Sequence, residues 1–121
     1  MRGLGVDAVD VVRFSKALGR TPSLRRRLFT TDELAHMAGR ADDSAGLAAR
    51  FAVREATMKA LGVGLGAFDL HDVSVEREAS GQPSLKVVGR AAQLASERGI
   101  SRWHVSITHT ETVAVAVVAA S

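Results

Sequence analysis

Residues 44–66 read SAGLAARFAVREATMKALGVGLG, and this stretch decides the fold. Residues four apart lie on one face of an α-helix, so the side chains here fall into two neighbouring rows. One row contains Leu47, Phe51, Glu55 and Lys59, and the row beside it contains Ala48, Ala52, Ala56 and Ala60. Glycines at 62, 64 and 66 then interrupt the pattern. We therefore predict one long helix that ends at these glycines.

Shorter elements precede the long helix. The apolar run at 3–9 indicates a strand, although Asp7 lies within it. Apolar residues at helical spacing after Asp10 indicate a short helix, which is followed by a basic stretch. The sequence Thr30-Thr31-Asp32-Glu33 predicts the start of a second short helix, running to about Met37. Residues 40–44 are expected to form a loop.

The second half of the chain has the patterns of strands. Alternation predicts a hairpin within 69–89 that turns at 80–83, and a strand pair at 102–108 and 112–119. An alanine-rich helix is predicted between them, over 90–99. The expected fold class is α+β, one domain over residues 1–121 in which an antiparallel sheet packs against the long helix.

Composition limits the class of protein. The chain has 121 residues, of which 46% are hydrophobic and 24% charged, as in a globular domain. Aromatic residues make up only 4% and tyrosine is absent, so the core is small and association with other subunits is plausible. Cysteine is also absent, which excludes disulfides, thiolate metal sites and cysteine nucleophiles.

The charge favours an anionic partner. The net charge is +3, which suits nucleic acid, a membrane surface, an acidic protein or a phosphorylated small molecule. The acidic N-terminus is unlike a signal peptide, and no apolar run reaches the roughly 20 residues of a membrane span. We expect a cytoplasmic protein with no membrane partner, and the start at Met1 favours a free protein over an excised part. A nucleic-acid partner is not expected, because no aromatic residues accompany the basic ones.

Two carboxylates, Asp7 and Glu55, lie at positions that are unfavourable for a negative charge without a partner. Asp7 interrupts an apolar strand, and Glu55 lies toward the C-terminal end of the long helix, where the helix dipole disfavours negative charge. In one interpretation Glu55 pairs with Lys59 one turn later and Asp7 caps a helix or turn. In the other, both carboxylates meet in the fold as hard oxygen ligands for Mg²⁺. Spacing leaves both open.

Lys59 and the glycines that follow it suit a phosphate group. A lysine acts on phosphate as a point charge, and Gly62 lets the backbone approach a ligand, although a helix C-cap explains it equally well. The loop is not a P-loop, because the lysine precedes the glycines. His109, in a turn between strands, is accessible, but a histidine in such a turn is more often simply solvated than a ligand.

At this point the residues resemble a known family. The matching segments are Gly5-Val6-Asp7 with Arg13, Phe29-Thr30 with Glu33, Ala49 to Ala56 with Lys59, Ala60 and Gly62, Gly81-Gln82-Pro83, and Ser106-Ile107-Thr108-His109. Five ordered motifs over nearly the whole chain resemble the holo-acyl-carrier-protein synthases, the small class of 4′-phosphopantetheinyl transferases. One position departs from the pattern: Arg54 stands where the family usually has lysine, so the contact geometry there is open.

The resemblance implies an activity. Phosphopantetheine moves from coenzyme A to a serine of an acidic acyl-carrier protein, with Mg²⁺ held by Asp7 and Glu55 against the coenzyme A pyrophosphate. Lys59 neutralises charge on that pyrophosphate, and either a metal-bound water or Glu55 takes the serine proton. These three residues are the expected catalytic group. Whether the carrier serves fatty-acid or polyketide synthesis stays open.

The resemblance also implies binding surfaces and an assembly. The residues expected to line the nucleotide, in addition to Lys59, are Arg50, Gly62, Gly81, Pro83, Ser106 and His109. Arg13, Arg20 and Arg27 are expected to dock the carrier protein by charge complementarity. Members of this size are similar to one another in forming homotrimers with active sites at subunit interfaces. The alternative of another class is a module that binds coenzyme A or an acidic protein without catalysis.

Overall fold

The structure is a computed structural model that describes all 121 residues. The strands are β1 (Gly3–Asp10), β2 (Val73–Arg77), β3 (Pro83–Val87), β4 (Trp103–His109) and β5 (Val113–Ala120). The helices are α1 (Val11–Arg20), α2 (Leu24–Leu28), α3 (Thr31–Met37), α4 (Ser44–Leu61) and α5 (Gly89–Glu97), with a 3-10 turn at Leu70–Asp72. The expected α+β fold is confirmed. The elements predicted from the sequence are present, and the basic stretch adds the short helix α2.

The antiparallel strands form two sheets rather than one. The larger has the order β1-β5-β4, and the smaller is the hairpin β2-β3. Asp7 is paired with Ala116 in β5, which is paired in turn with Ile107 in β4. Because side chains alternate along a strand, the odd-numbered residues of β1 and β4 and the even-numbered residues of β5 face the interior.

Two glycines let β1 lie directly against α4. A Cβ added at Gly5 would collide with the backbone carbonyl of Ala56, and one at Gly3 with that of Ala60. Both alanines are buried, so the small-residue row of α4 is the surface that receives the strand. This close approach brings the next inward-facing residue of β1, Asp7, to the C-terminal half of the helix.

Local hydrogen bonds fix the ends of the helices. Asp10 caps α1 by accepting a bond from the Arg13 backbone N–H at 2.9 Å. Thr30 and Glu33 form a reciprocal capping box at the start of α3. Gly62 ends α4 in the left-handed conformation, with φ of 71°, which favours glycine. None of these helices combines the length and the apolar composition that a membrane span requires.

Candidate active site

Asp7 and Lys59 meet where β1 crosses α4. The Lys59 ammonium lies 3.2 Å from a carboxylate oxygen of Asp7 and donates to the backbone carbonyl of Val6 at 2.9 Å. The interpretation in which Lys59 pairs with Glu55 and Asp7 is a cap is therefore wrong. Asp10 is the residue that caps, and Lys59 turns toward the strand.

Glu55 lies one helical turn before Lys59 and shares its surroundings. Burial raises the pKa of the Glu55 carboxyl, the nearby charge of Asp7 raises it further, and Lys59 opposes the change. Since Asp7 acts on the pKa of Glu55, the two carboxylates approach each other closely enough to repel. The structure thus places two carboxylates and one ammonium together at the surface of α4.

This donor set suits a hard divalent cation. Mg²⁺ typically takes one or two carboxylates and completes its shell with water and phosphate oxygens, and a cation beside Asp7 and Glu55 would offset the effect of Asp7 that raises the pKa of Glu55. No group of three or more metal-ligating side chains is present. The chain can therefore supply two ligands, which leaves the other positions to water and substrate.

A basic cleft of about 440 Å³ opens beside the middle of α4. We use this name for the hollow lined by Arg50, Arg77 and Lys86 together with His36 and His71. Two carboxylates, Asp32 and Glu76, also line it, and Glu76 lies 3.7 Å from the Lys86 ammonium, so the guanidinium groups carry its excess of positive charge. Arg50 is buried, and its Nε has no hydrogen-bond partner. Burial lowers the pKa of the Arg50 guanidinium, as do the neighbouring cations, while Glu33 opposes them. A buried cation with unused hydrogen-bond capacity indicates a place for an anion.

The interior ion pair of Arg54 and Glu33 was missed by the sequence analysis. The Arg54 guanidinium forms a two-pronged contact with the Glu33 carboxylate, at 2.5 and 3.0 Å, and is fully buried. The sequence left the contact geometry of Arg54 open, and the structure directs its side chain into the protein. The available signal was that Arg54 lies on a helix whose neighbouring positions are nearly all small or apolar.

The other residues expected at the nucleotide are not brought together in one chain. Gly62 borders an open hollow that Lys59 also lines, together with Arg2 and Arg98. Pro83, next to the turn at Gly81, borders a separate groove beside Trp103. His109 lines a third hollow with Asp42 and Glu111. Ser106 is exposed on the outer face of the larger sheet. Within one chain, Asp7, Glu55 and Lys59 form a compact group, and Gly62 lies at the hollow that Lys59 lines.

The arginines expected to dock an acidic protein form an exposed set, which we call the docking arginines: Arg13, Arg20 and Arg27. They lie on α1 and α2. The neighbouring Arg25 is instead paired with Asp43 at 3.0 Å, which fixes α2 near the start of α4.

Comparison with known proteins identifies relatives over almost the whole chain. Residues 3–118 match the family model of the 4′-phosphopantetheinyl transferase superfamily. A holo-[acyl-carrier-protein] synthase of Streptomyces coelicolor is 47% identical over 118 residues, covering 98% of this chain and 95% of the relative. The corresponding protein of Moorella thermoacetica is 42% identical over 113 residues, which cover 93% and 88%. The resemblance noted in the sequence is confirmed.

Solved structures agree with this similarity. The holo-[acyl-carrier-protein] synthase of Neisseria meningitidis superposes with a TM-score of 0.90 at 28% identity, covering 100% of this chain and 98% of that one. The Helicobacter pylori enzyme, solved in complex with coenzyme A, has a TM-score of 0.85 at 27% identity, with coverage of 98% and 99%. The fold is therefore one that binds coenzyme A in a relative.

Proposed function

Because the chain belongs to the 4′-phosphopantetheinyl transferase superfamily, among the holo-[acyl-carrier-protein] synthases, we propose that it transfers 4′-phosphopantetheine from coenzyme A to a serine of an apo acyl-carrier protein. A bond forms between the serine oxygen and the β-phosphorus of the pyrophosphate. The bond from that phosphorus to the bridging oxygen breaks, and adenosine 3′,5′-bisphosphate leaves. The observation that carries the proposal is the convergence of Asp7, Glu55 and Lys59 at one point on α4.

Asp7 and Glu55 are the residues that would hold Mg²⁺. When bound, the ion would withdraw charge from the pyrophosphate and stabilise the departing phosphate oxygen. Both carboxylates would bind the ion, and its charge would offset the effect of Asp7 that raises the pKa of Glu55.

Lys59 and Glu55 also act on the reacting groups directly. The Lys59 ammonium is half exposed and lies against Asp7. A pyrophosphate bound beside Asp7 would therefore have its oxygens within reach of this positive charge. Glu55 is a half-buried carboxylate one helical turn before Lys59, and a carboxylate in that place can accept a proton from a substrate bound beside it. We propose Glu55 as the acceptor of the serine proton, with a water in the same site as the alternative.

The basic cleft supports binding of the nucleotide end of coenzyme A. That end carries a 3′-phosphate in addition to the pyrophosphate, and the cleft offers Arg50 with a free Nε beside Arg77. An anion bound here gains charge-assisted hydrogen bonds from guanidinium groups. Arg50 is therefore the residue we propose for a contact to a nucleotide phosphate.

The outer face of the larger sheet supports assembly with other copies. Leu4, Val6 and Val117 are large apolar residues that are exposed on adjacent strands, and Val113 is exposed on the same face. A contiguous apolar face of this kind indicates a protein contact. We propose that the chain forms a homotrimer through it.

The scattered nucleotide residues fit such an assembly. Ser106 lies on the same outer face, and the positions of Gly81, Pro83 and His109 leave them far from a common pocket within one chain. In a trimer, residues of one subunit can complete the site on the next. We propose that the active sites lie at the subunit interfaces.

The docking arginines are proposed to receive the acidic carrier protein. All three are exposed, and α1 follows directly after the strand that holds Asp7. Complementary charge would orient the carrier and accelerate its association. Both substrates are cytoplasmic molecules in this proposal, and the cytoplasm is where we expect the enzyme to act.

The proposal is tested by the mass of the carrier protein. We would incubate an apo acyl-carrier protein with this protein, coenzyme A and Mg²⁺ and measure its intact mass. We expect a gain of one phosphopantetheine that is lost without divalent metal and lost in the Glu55→Gln variant. It should be kept in the matched Glu97→Gln variant, whose side chain is exposed at the end of α5. Coenzyme A binding without a gain for any carrier tested would favour the non-catalytic module.

A further inference from the structure

All polar partners of Arg54 are internal. The guanidinium contacts both carboxylate oxygens of Glu33, its Nε donates to the Leu70 carbonyl at 2.9 Å, and Nη1 also lies 3.3 Å from the Arg50 carbonyl. The ring of Phe29 packs against it, 5.1 Å from the guanidinium carbon. No surface of Arg54 is accessible. It can therefore influence a ligand only through another residue.

Glu33 is the only carboxylate among the buried residues, whereas Arg50 and Arg54 are both buried. Both oxygens of Glu33 are engaged by Arg54, and they also accept bonds from the backbone N–H groups of Thr30 and Val75 at 3.0 and 3.1 Å. The core thus holds one carboxylate and two guanidinium groups, and the carboxylate of Glu33 is paired with Arg54 rather than with Arg50.

Arg50 is left as the buried cation without an ion pair. The Arg50 Nη1 donates to the Gly46 carbonyl at 3.1 Å, and the Arg50 Nε has no hydrogen-bond partner. The Arg50 side chain also lines the basic cleft. The charged groups that act on it are Glu33 and the cations Arg40, Arg54 and Arg77. Leaving a buried charge unpaired is unfavourable, and an incoming anion relieves it.

We propose that Arg54 is a positioning residue for coenzyme A binding, because by holding Glu33 it keeps Arg50 without an internal counter-ion and available to a phosphate of the ligand. This inference rests on the proposed function. Without the charge of Arg54, Glu33 keeps its bonds from the Thr30 and Val75 backbone, but the only buried cation left to balance its charge is Arg50, one helical turn from Arg54 on α4. The internal pair would then compete with the ligand.

The test uses calorimetric binding of coenzyme A to the full chain, with steady-state kinetics alongside. Loss of one charge-assisted contact typically changes affinity by a factor of about 10 or more, so we expect Arg54→Gln to weaken coenzyme A binding by about tenfold. KM for coenzyme A should rise with it, while kcat at saturation changes little. The double variant Glu33→Gln/Arg54→Gln removes the competing carboxylate and should restore the dissociation constant to within about threefold of the parent.

That restoration distinguishes the proposal from a purely structural role. If Arg54 merely holds α3 against α4, the double variant should bind as weakly as Arg54→Gln or more weakly, and this result would overturn the inference. If Arg54→Gln does not fold, Arg54→Lys replaces it, since lysine keeps a charge on Glu33 without the two-pronged contact.

We expect Arg54→Lys to bind coenzyme A within about threefold of the parent protein. A tenfold loss in folded Arg54→Lys would overturn the inference, because lysine keeps a positive charge on Glu33. Thermal unfolding reports on folding of each variant. If the parent protein does not bind coenzyme A, the proposed function is contradicted. If the parent protein and Arg54→Gln bind coenzyme A equally well, only this inference is contradicted.

Discussion

Alanine at Gly5 should disturb both the stability of the protein and its active site. The added Cβ would collide with the Ala56 carbonyl oxygen and lie 2.9 Å from the Ala60 nitrogen. These are backbone atoms of α4, so no side chain can rotate out of the way. Either β1 or α4 must shift, and overpacking of this kind costs about 1–3 kcal/mol of the free energy of unfolding. Asp7, two residues along the strand, would move with it.

Guanidinium chloride unfolding measures the stability change, and the carrier-mass reaction measures activity. Displacement of reacting groups by an ångström can lower a rate on the order of 100-fold, so we expect a large loss of activity in the fraction that remains folded. Gly19→Ala is the matched control, because nothing lies within 4 Å of its added Cβ. Replacement there should stabilise the protein by about 0.4–1 kcal/mol. Equal stability of the two variants would refute the close-packing argument.

Three further outcomes are expected. Burial and Asp7 raise the pKa of Glu55 above 4.5, so the folded protein binds that proton more tightly than the unfolded chain and loses stability as the pH rises above 4.5. Without metal, Glu55→Gln should therefore unfold at a higher urea concentration than the parent at neutral pH. This difference should vanish below pH 4.5. Serine at the docking arginines should raise KM for the carrier and reduce its salt dependence without changing coenzyme A affinity, whereas Arg90→Ser should change neither. Val117→Lys should give a monomer by light scattering and Val88→Lys should not; a trimer in both would remove the sheet face from the interface.

The elements could be predicted from the sequence because each has a local cause. The two rows of α4 follow from helical periodicity, and the start of α3 follows from the side-chain chemistry of Thr30 and Glu33. The division of the strands into two sheets could not be predicted, because it depends on strand pairing between distant segments. The short helix α2 was also missed, since a five-residue helix of mostly basic residues has no apolar period to reveal it.

The candidate site was predictable in its residues but not in its contacts. Asp7 and Glu55 were selected because a charge in those positions requires a partner, yet the ion pair of Asp7 with Lys59 joins residues 52 positions apart. The same difficulty applies to Arg54, whose partner Glu33 was already assigned to a helix cap. Glu33 takes part in the cap and in the ion pair, since its carboxylate accepts a hydrogen bond from the Thr30 backbone N–H and two from the Arg54 guanidinium. Local patterns do not reveal that one side chain serves two contacts.

The alternation Gly3, Gly5, Asp7 links the fold to the chemistry. All three residues face α4, the first two without a side chain so that the strand can touch the helix backbone, and the third with a carboxylate directed at Lys59. Larger residues at either glycine, or at the facing Ala56, would widen the gap between strand and helix before they altered any charged group. The distance between Asp7 and the α4 side chains is therefore set by the packing of Gly3, Gly5 and Ala56, so a substitution at these uncharged positions can disturb the site as a change of its carboxylates does.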